Sequence, residues 1–200
     1  MSTALIVIDV QASFLELPSW AAVSNPGIVD QVNLLAEASR ARGDLVVWVL
    51  HADPGTGTVF DPASGHVHLM DGLVPRAGEP VIFKTAHNAF ITTNLQQILT
   101  SRGIGAVIIC GIRTEQCCET TTRVAADLGY DVTFVTDATA TSPVEHRDAP
   151  AGRTLADILA DPRTMPADDI ITRTEYALAG RFATIRSVAD LTAAAVVAAG

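Results

Sequence analysis

Cys117 lies where a cysteine can become a nucleophile. Ala106–Cys110 (AVIIC) is a short, β-branched, apolar run of the kind that forms a buried parallel strand. Gly111-Ile112-Arg113-Thr114-Glu115-Gln116-Cys117 follows it. Val124, Ala125, Ala126 and Leu128 then continue at helical spacing until Gly129. The stretch reads as a strand-to-helix turn, with Cys117 in the first helical turn. Unpaired N–H groups and the positive end of the helix dipole favour a thiolate there. Two further residues could complete the chemistry. Asp9 stands near the end of the apolar run Ala4–Val10 (ALIVIDV), and Lys84 directly follows Val81–Phe83. A carboxylate beside the sulfur can take the thiol proton, protonate a leaving amine and later activate water. A lysine beside both would hold the carboxylate ionised and lower the thiol pKa. Asp, Lys and Cys thus suffice for acyl transfer without histidine. Taken singly, each has an ordinary alternative: Cys117 as a small buried hydrophobe, Lys84 as a solvated lysine, Asp9 as a cap.

The elements that must position these residues alternate between strand and helix. Expected strands are Ala4–Val10, Leu45–Leu50, Val81–Phe83, Ala106–Cys110, Asp131–Thr136 and Asp169–Thr172. Expected helices are Ile28–Arg42, Ile91–Arg102, the one after Cys117, Thr154–Ala160 and Ser187–Ala199, whose Ala-rich end from Ala193 to Gly200 is expected to fray. Such alternation predicts an α/β fold, a parallel sheet covered by helices on both faces, in a single domain over residues 1–200. Ligands of such sheets bind beyond the strands' carboxyl ends, at the switch in strand order. Asp9, Lys84 and Cys117 all fall at such ends. The long loop Ala52–Pro80, Phe14 and the residues around Trp20 are expected to shape the pocket.

Composition narrows the partners. The chain has 200 residues, 48% hydrophobic and 18% charged, with a formal net charge of −9. This suits a well-buried globular protein and disfavours nucleic acid as a partner. No apolar run is long enough to span a bilayer, and Ala4–Val10 lacks the features of a secretory signal, so a cytoplasmic protein is expected. Three cysteines without a Cys-x-x-Cys pattern fit a reducing compartment. A nucleotide-binding fold is disfavoured, because no glycine-rich turn follows the first strand.

Taken jointly, several motifs resemble the isochorismatase-like cysteine hydrolases. Ile8-Asp9-Val10-Gln11 with Phe14 resembles their first motif. Lys84 with Asn88-Ala89-Phe90 and Leu95 resembles the second, and Gly111–Cys117 with Thr121 the third. Gly129-Tyr130-Asp131-Val132 and Asp137-Ala138 resemble the strand that follows. The resemblance implies a three-layer, six-stranded, Rossmann-like parallel sheet. It implies Asp9 as general base and acid, Lys84 as its partner and Cys117 as the nucleophile of an acyl-enzyme cleaving an amide or carbamoyl-type C–N bond. It further implies a cis Ile112–Arg113 peptide, which turns the Arg113 N–H to join the Cys117 N–H as an oxyanion hole. Gln11, Phe14, His87 and Arg113 are the expected pocket residues. The Arg113 side chain is open between an anionic substrate group and a surface carboxylate. A small-molecule substrate, no cofactor, and a homo-oligomer are implied, with Trp20 and Trp48 available to an interface.

Departures are visible. Metal-binding members carry Asp-x-His followed by a later His; here the order is His51-Ala52-Asp53, with His66 and His68 beyond. Those four are the alternative metal set, and no metal is expected. Cys118 stands where Val is common and reads as core packing. Two other functions compete. One is vinyl ether hydrolysis of the isochorismatase type, whose members usually lack the cysteine. The other is a thiol-based binding or redox protein.

Overall fold

The computed structural model describes residues 2–197. Six strands form one sheet: β1 (Ser2–Ile8), β2 (Leu45–His51), β3 (Val81–Lys84), β4 (Ile104–Ile112), β5 (Asp131–Ala140) and β6 (Thr184–Arg186). Their order is β3-β2-β1-β4-β5-β6, and every pairing is parallel. The chain therefore winds one way from β1 to β3 and the other way from β4 to β6. The switch point lies between β1 and β4, where Ile8 pairs with Gly111.

The apolar runs are continuous because both sheet faces are covered. In β1, Leu5 and Val7 pack with Val32 and Leu35 of α1 (Ile28–Arg42), while Ala4, Ile6 and Ile8 join the opposite core. That second core holds Leu95 and Leu99 of α2 (Leu95–Ser101), Ala125 of α3 (Glu119–Asp127) and Leu178. The short α4 (Leu155–Ala160) starts at a capping box, in which Thr154 and Asp157 satisfy each other's backbone N–H. α5 (Ala167–Leu178) and α6 (Val188–Val197) complete the helices of the described residues.

Three sequence expectations need correction. Asp169–Thr172 belongs to α5, not to a strand. Its β-branched residues are outweighed by Asp168 and Asp169 in the first turn and by buried Ile170, Thr174 and Leu178 at four-residue spacing. The sixth strand is Thr184–Arg186 instead. The helix expected from Ile91 starts only at Leu95. Thr93 Oγ1 donates to the Ala89 carbonyl at 2.6 Å and holds residues 89–93 in a turn. Trp48 cannot serve an interface: it is fully buried, with its indole N–H on Glu79 at 2.9 Å. The expected fraying of the tail falls partly on residues 198–200, which lie outside the described residues.

Candidate active site

Three strand ends converge at the switch point. Asp9 leaves β1 in the left-handed region, φ 54°, a conformation that Asp tolerates better than most residues. Its N–H donates to Val49 of β2 at 2.8 Å and its carbonyl accepts from Gln11 at 2.9 Å. Lys84 ends β3 and extends its long side chain across β2, fully buried, to Asp9. Nζ lies 2.7 Å from Asp9 Oδ2, 3.2 Å from His51 Nδ1 and 3.4 Å from Cys117 Sγ. Cys117 sits in a π-helical turn, Thr114–Cys118, that precedes α3. The Arg113 carbonyl accepts from both Gln116 and Cys118 at 3.2 Å, so the turn is wider than the α-helical start expected from sequence. Thr114 pins the turn to Thr139 of β5 at 2.9 Å. Thr121 Oγ1 accepts from the Ala89 N–H at 3.1 Å, which gives this motif residue its work: it ties the loop after Lys84 to α3.

The Ile112–Arg113 peptide is cis. Among the described residues the Arg113 N–H has no acceptor, and none outside the π-helical turn takes the Cys117 N–H. Gly111, just before, is held at φ 127° against β1. A Cβ there would lie 1.9 Å from the Ile8 carbonyl oxygen.

Burial sets the resting protonation. Desolvation pushes the Cys117 thiol up to about 12; the nearby Asp9 carboxylate adds to this and Lys84 opposes it. Desolvation also raises Asp9 from its ordinary value, with Lys84 pulling the other way. The expectation of a resting thiolate is thereby corrected. Burial thus favours the thiol form of the sulfur, which lies beside the Asp9–Lys84 pair.

Asp9 and Cys117 open on a cavity of about 490 Å³, with Lys84 fully buried beside them. Phe14, Phe60, His87 and Arg113 form walls; Val144, Glu145 and Ile158 stand opposite, from the segment after β5. Arg113 lies 6.0 Å from the Phe14 ring centroid and 3.3 Å from Ser19 Oγ. No carboxylate of the described residues pairs with it. A larger hollow of about 610 Å³ beside β5 and β6 contains none of the three groups. Gln11, expected in the pocket, is not there. It is fully buried and its amide clamps the His51 backbone, accepting from N–H at 2.7 Å and donating to the carbonyl at 3.0 Å. Trp20 itself packs on the core, but Leu17 and Ser19 beside it line the cavity, as expected of the residues around Trp20. His66 turns to Glu16 at 3.7 Å and His68 Nδ1 to the Leu69 carbonyl at 2.8 Å. Among the described residues no three His, Cys, Asp or Glu side chains are grouped to hold a metal ion. Phe60 lies on the long segment expected to shape the pocket, Asp53 is marked in the sequence only as a metal alternative, and Glu145 is a cavity residue that no sequence motif marks.

A family model of the isochorismatase domain matches residues 3–166. The chain belongs to the isochorismatase family. This family member is 32% identical to the uncharacterized isochorismatase family protein YrdC of Bacillus subtilis, over 68% of its own length and 73% of that protein. It is 28% identical to the ureidoacrylate amidohydrolase RutB of Klebsiella pneumoniae, over 68% and 72% of the two chains. Among solved structures, an isochorismatase-family protein of Chromobacterium violaceum superposes with a TM-score of 0.82 at 26% identity, covering 98% of this chain and 94% of that one. The six-stranded α/β fold is the fold of these hydrolases, as the motifs implied.

Differential labelling checks the thiols of this isochorismatase-family hydrolase. Cys117 is 7% exposed and lines the cavity, whereas Cys110 and Cys118 are fully buried. Brief iodoacetamide treatment followed by mass spectrometry is expected to label Cys117 first. Its rate should still climb between about pH 8 and pH 10, since the thiolate is the attacking form. Faster labelling of Cys110 or Cys118 would contradict the assignment.

Proposed function

We propose that this hydrolase cleaves an amide or carbamoyl-type C–N bond of a small molecule through a covalent acyl-enzyme on Cys117. One observation carries the reading. The buried Lys84 ammonium lies 2.7 Å from the Asp9 carboxylate and 3.4 Å from the Cys117 sulfur, and Asp9 and Cys117 both line the cavity. Asp9 accepts the thiol proton as sulfur attacks the carbonyl carbon. The oxyanion develops toward the Arg113 and Cys117 N–H groups. On collapse, the proton held by Asp9 passes to the leaving nitrogen and the C–N bond breaks, leaving a thioester. Water then enters, gives a proton to Asp9, and attacks the thioester. The acid departs and the proton returns to sulfur. The raised affinity of Asp9 for protons suits a group that must accept one and donate it in turn.

The relative named an amidohydrolase supports C–N rather than vinyl ether cleavage. A cysteine poised at the cavity floor also has no evident part in the vinyl ether reaction. The unpaired Arg113 guanidinium in the wall suits a substrate bearing an anionic group, such as a carboxylate.

A panel of amides, ureas and carbamoyl compounds, each with and without a carboxylate, tests the reading. Turnover of at least one member is expected from wild type, and none above background from Cys117→Ala. Equal turnover by the alanine variant would end the acyl-enzyme reading.

A further inference from the structure

An ammonium group has three N–H donors. Lys84 is fully buried; its Nζ is hydrogen-bonded to His51 Nδ1 at 3.2 Å and to Cys117 Sγ at 3.4 Å, and is ion-paired with Asp9 Oδ2 at 2.7 Å. Two of these belong to the proposed reaction. The third does not, and its whole surrounding is built.

His51 ends β2, in register with Lys84 on β3. Its backbone is clamped on both sides by the buried Gln11 amide, at 2.7 and 3.0 Å. Its ring stands edge-on to Phe60, with centroids 5.8 Å apart. Its Nε2 lies 3.0 Å from Asp53 Oδ1. A carboxylate at Nε2 keeps the proton on that nitrogen, so Nδ1 carries the lone pair and can accept from Lys84. The other charged or titratable groups around the ring are Asp9 and Cys117 on the cavity floor, with His87 and Arg113 in its wall.

We propose that His51 is a positioning residue. Held by Asp53 and Gln11, it takes one N–H of the Lys84 ammonium and so aims another at Cys117, with the charge kept against Asp9. Without that acceptor the ammonium would rotate about its last bond. One donor would be left buried and unpaired, and the sulfur would lose the fixed donor that steadies its developing charge. His51 thus acts through Lys84 and touches neither the reacting carbon nor the leaving group.

The proposal rests on the hydrolase reading for its role in turnover, but not for its effect on the thiol. The experiment therefore reads both. Purified wild type, His51→Leu and His51→Asn are compared by circular dichroism, by the rate of Cys117 alkylation with iodoacetamide, and by kcat and KM on the best member of the substrate panel. The Asn side-chain oxygen sits where Nδ1 does and keeps an acceptor for Lys84; Leu keeps only bulk. In His51→Leu, alkylation and kcat are each expected to fall by about tenfold or more, with KM within about threefold. His51→Asn should recover most of both.

Wild-type alkylation and turnover in a folded Leu variant would overturn the proposal. Equal impairment of Leu and Asn would overturn it too, since packing alone would then explain the loss. If the Leu variant alkylates slowly, Asn restores the rate, and no panel member is turned over even by wild type, the positioning of Lys84 stands and the hydrolase reading falls. If the Leu variant matches wild type on a substrate that Cys117→Ala cannot process, the hydrolase reading stands and the positioning role falls.

Discussion

Replacing Asp9 by Asn is expected to lower kcat by ~10²–10⁴-fold, the usual effect of losing a positioned proton-transfer group. The shape is kept but the charge is not. The substituted amide cannot take the thiol proton, and burial, the largest cause of that thiol's raised value, remains after the part owed to the Asp9 charge is gone. KM should change little, because the lost interaction matters only once proton transfer begins. The sign of the pH effect follows from Asp9. Its proton affinity is raised by burial, so wild-type turnover falls as the pH drops through a value above that of a free carboxylate. Below that value Asp9 is already protonated and cannot serve as base. The Asn variant should lack this acid limb. It should also melt earlier, since Lys84 would be left fully buried without its counter-charge, a loss of ~3–5 kcal/mol for a broken buried pair. Stopped assays from acid to neutral pH, with a thermal melt alongside, read all three effects. Wild-type kcat in the Asn variant would remove Asp9 from the mechanism.

The largest expected effect on stability comes from one added methyl group. Gly111→Ala places a Cβ 1.9 Å from the Ile8 carbonyl oxygen and 2.7 Å from the Ile8 nitrogen and carbonyl carbon. Those atoms are backbone of the neighbouring central strand, so no side chain can swing aside. The φ of 127° is also one that an alanine adopts only under strain. A loss of ~4–5 kcal/mol or more is expected, enough to unfold a domain of ordinary stability. Gly57→Ala is the control. It shares a positive φ, 67°, but has nothing within 4 Å of the added atom, and should cost only ~1 kcal/mol. A denaturant titration in which the two variants unfold together would show that the close approach of β4 to β1 is not what Gly111 provides.

Much of this architecture is legible in the residues. Continuous β-branched runs such as Leu45–Leu50 and Ala106–Cys110 read as buried strands because both faces of a parallel sheet are covered. The errors have physical sources. Ile170-Ile171-Thr172 mimics a strand locally, and only the acidic first turn and the spacing to Thr174 and Leu178 show the helix. Thr184–Arg186 is three residues long, too short to carry a pattern. At the site, Asp9, Lys84 and Cys117 could be found because each follows a strand. His51 has the same placement, but its spacing to Asp53 suggested a metal ligand; its tie to Lys84 depends on register between strands. The protonation of Cys117 was out of reach, because it depends on burial by walls from distant segments. Glu145 and Ile158 belong to those walls, and no local motif marks them.

The reactive groups and the cavity walls are attached to different kinds of chain. Asp9, His51, Lys84 and Cys117 leave the ends of strands in the most buried part of the sheet, where backbone pairing fixes their spacing. Val144, Glu145 and Ile158 belong to a segment held by its own local ties: Val144 to Met165, and Arg153 to both Glu145 and Asp161. Phe60 sits on the loop between β2 and β3, where Asp61 accepts from Gly57 and Ala63. Such a division lets selection work on the two parts at separate rates. Insertions and exchanges in the walls would alter what the cavity accepts while leaving the spacing of the strand ends in place. The fold is in this sense a fixed reaction bench with interchangeable fittings, and lineages sharing it would diverge first in what they accept and last in how they cleave it.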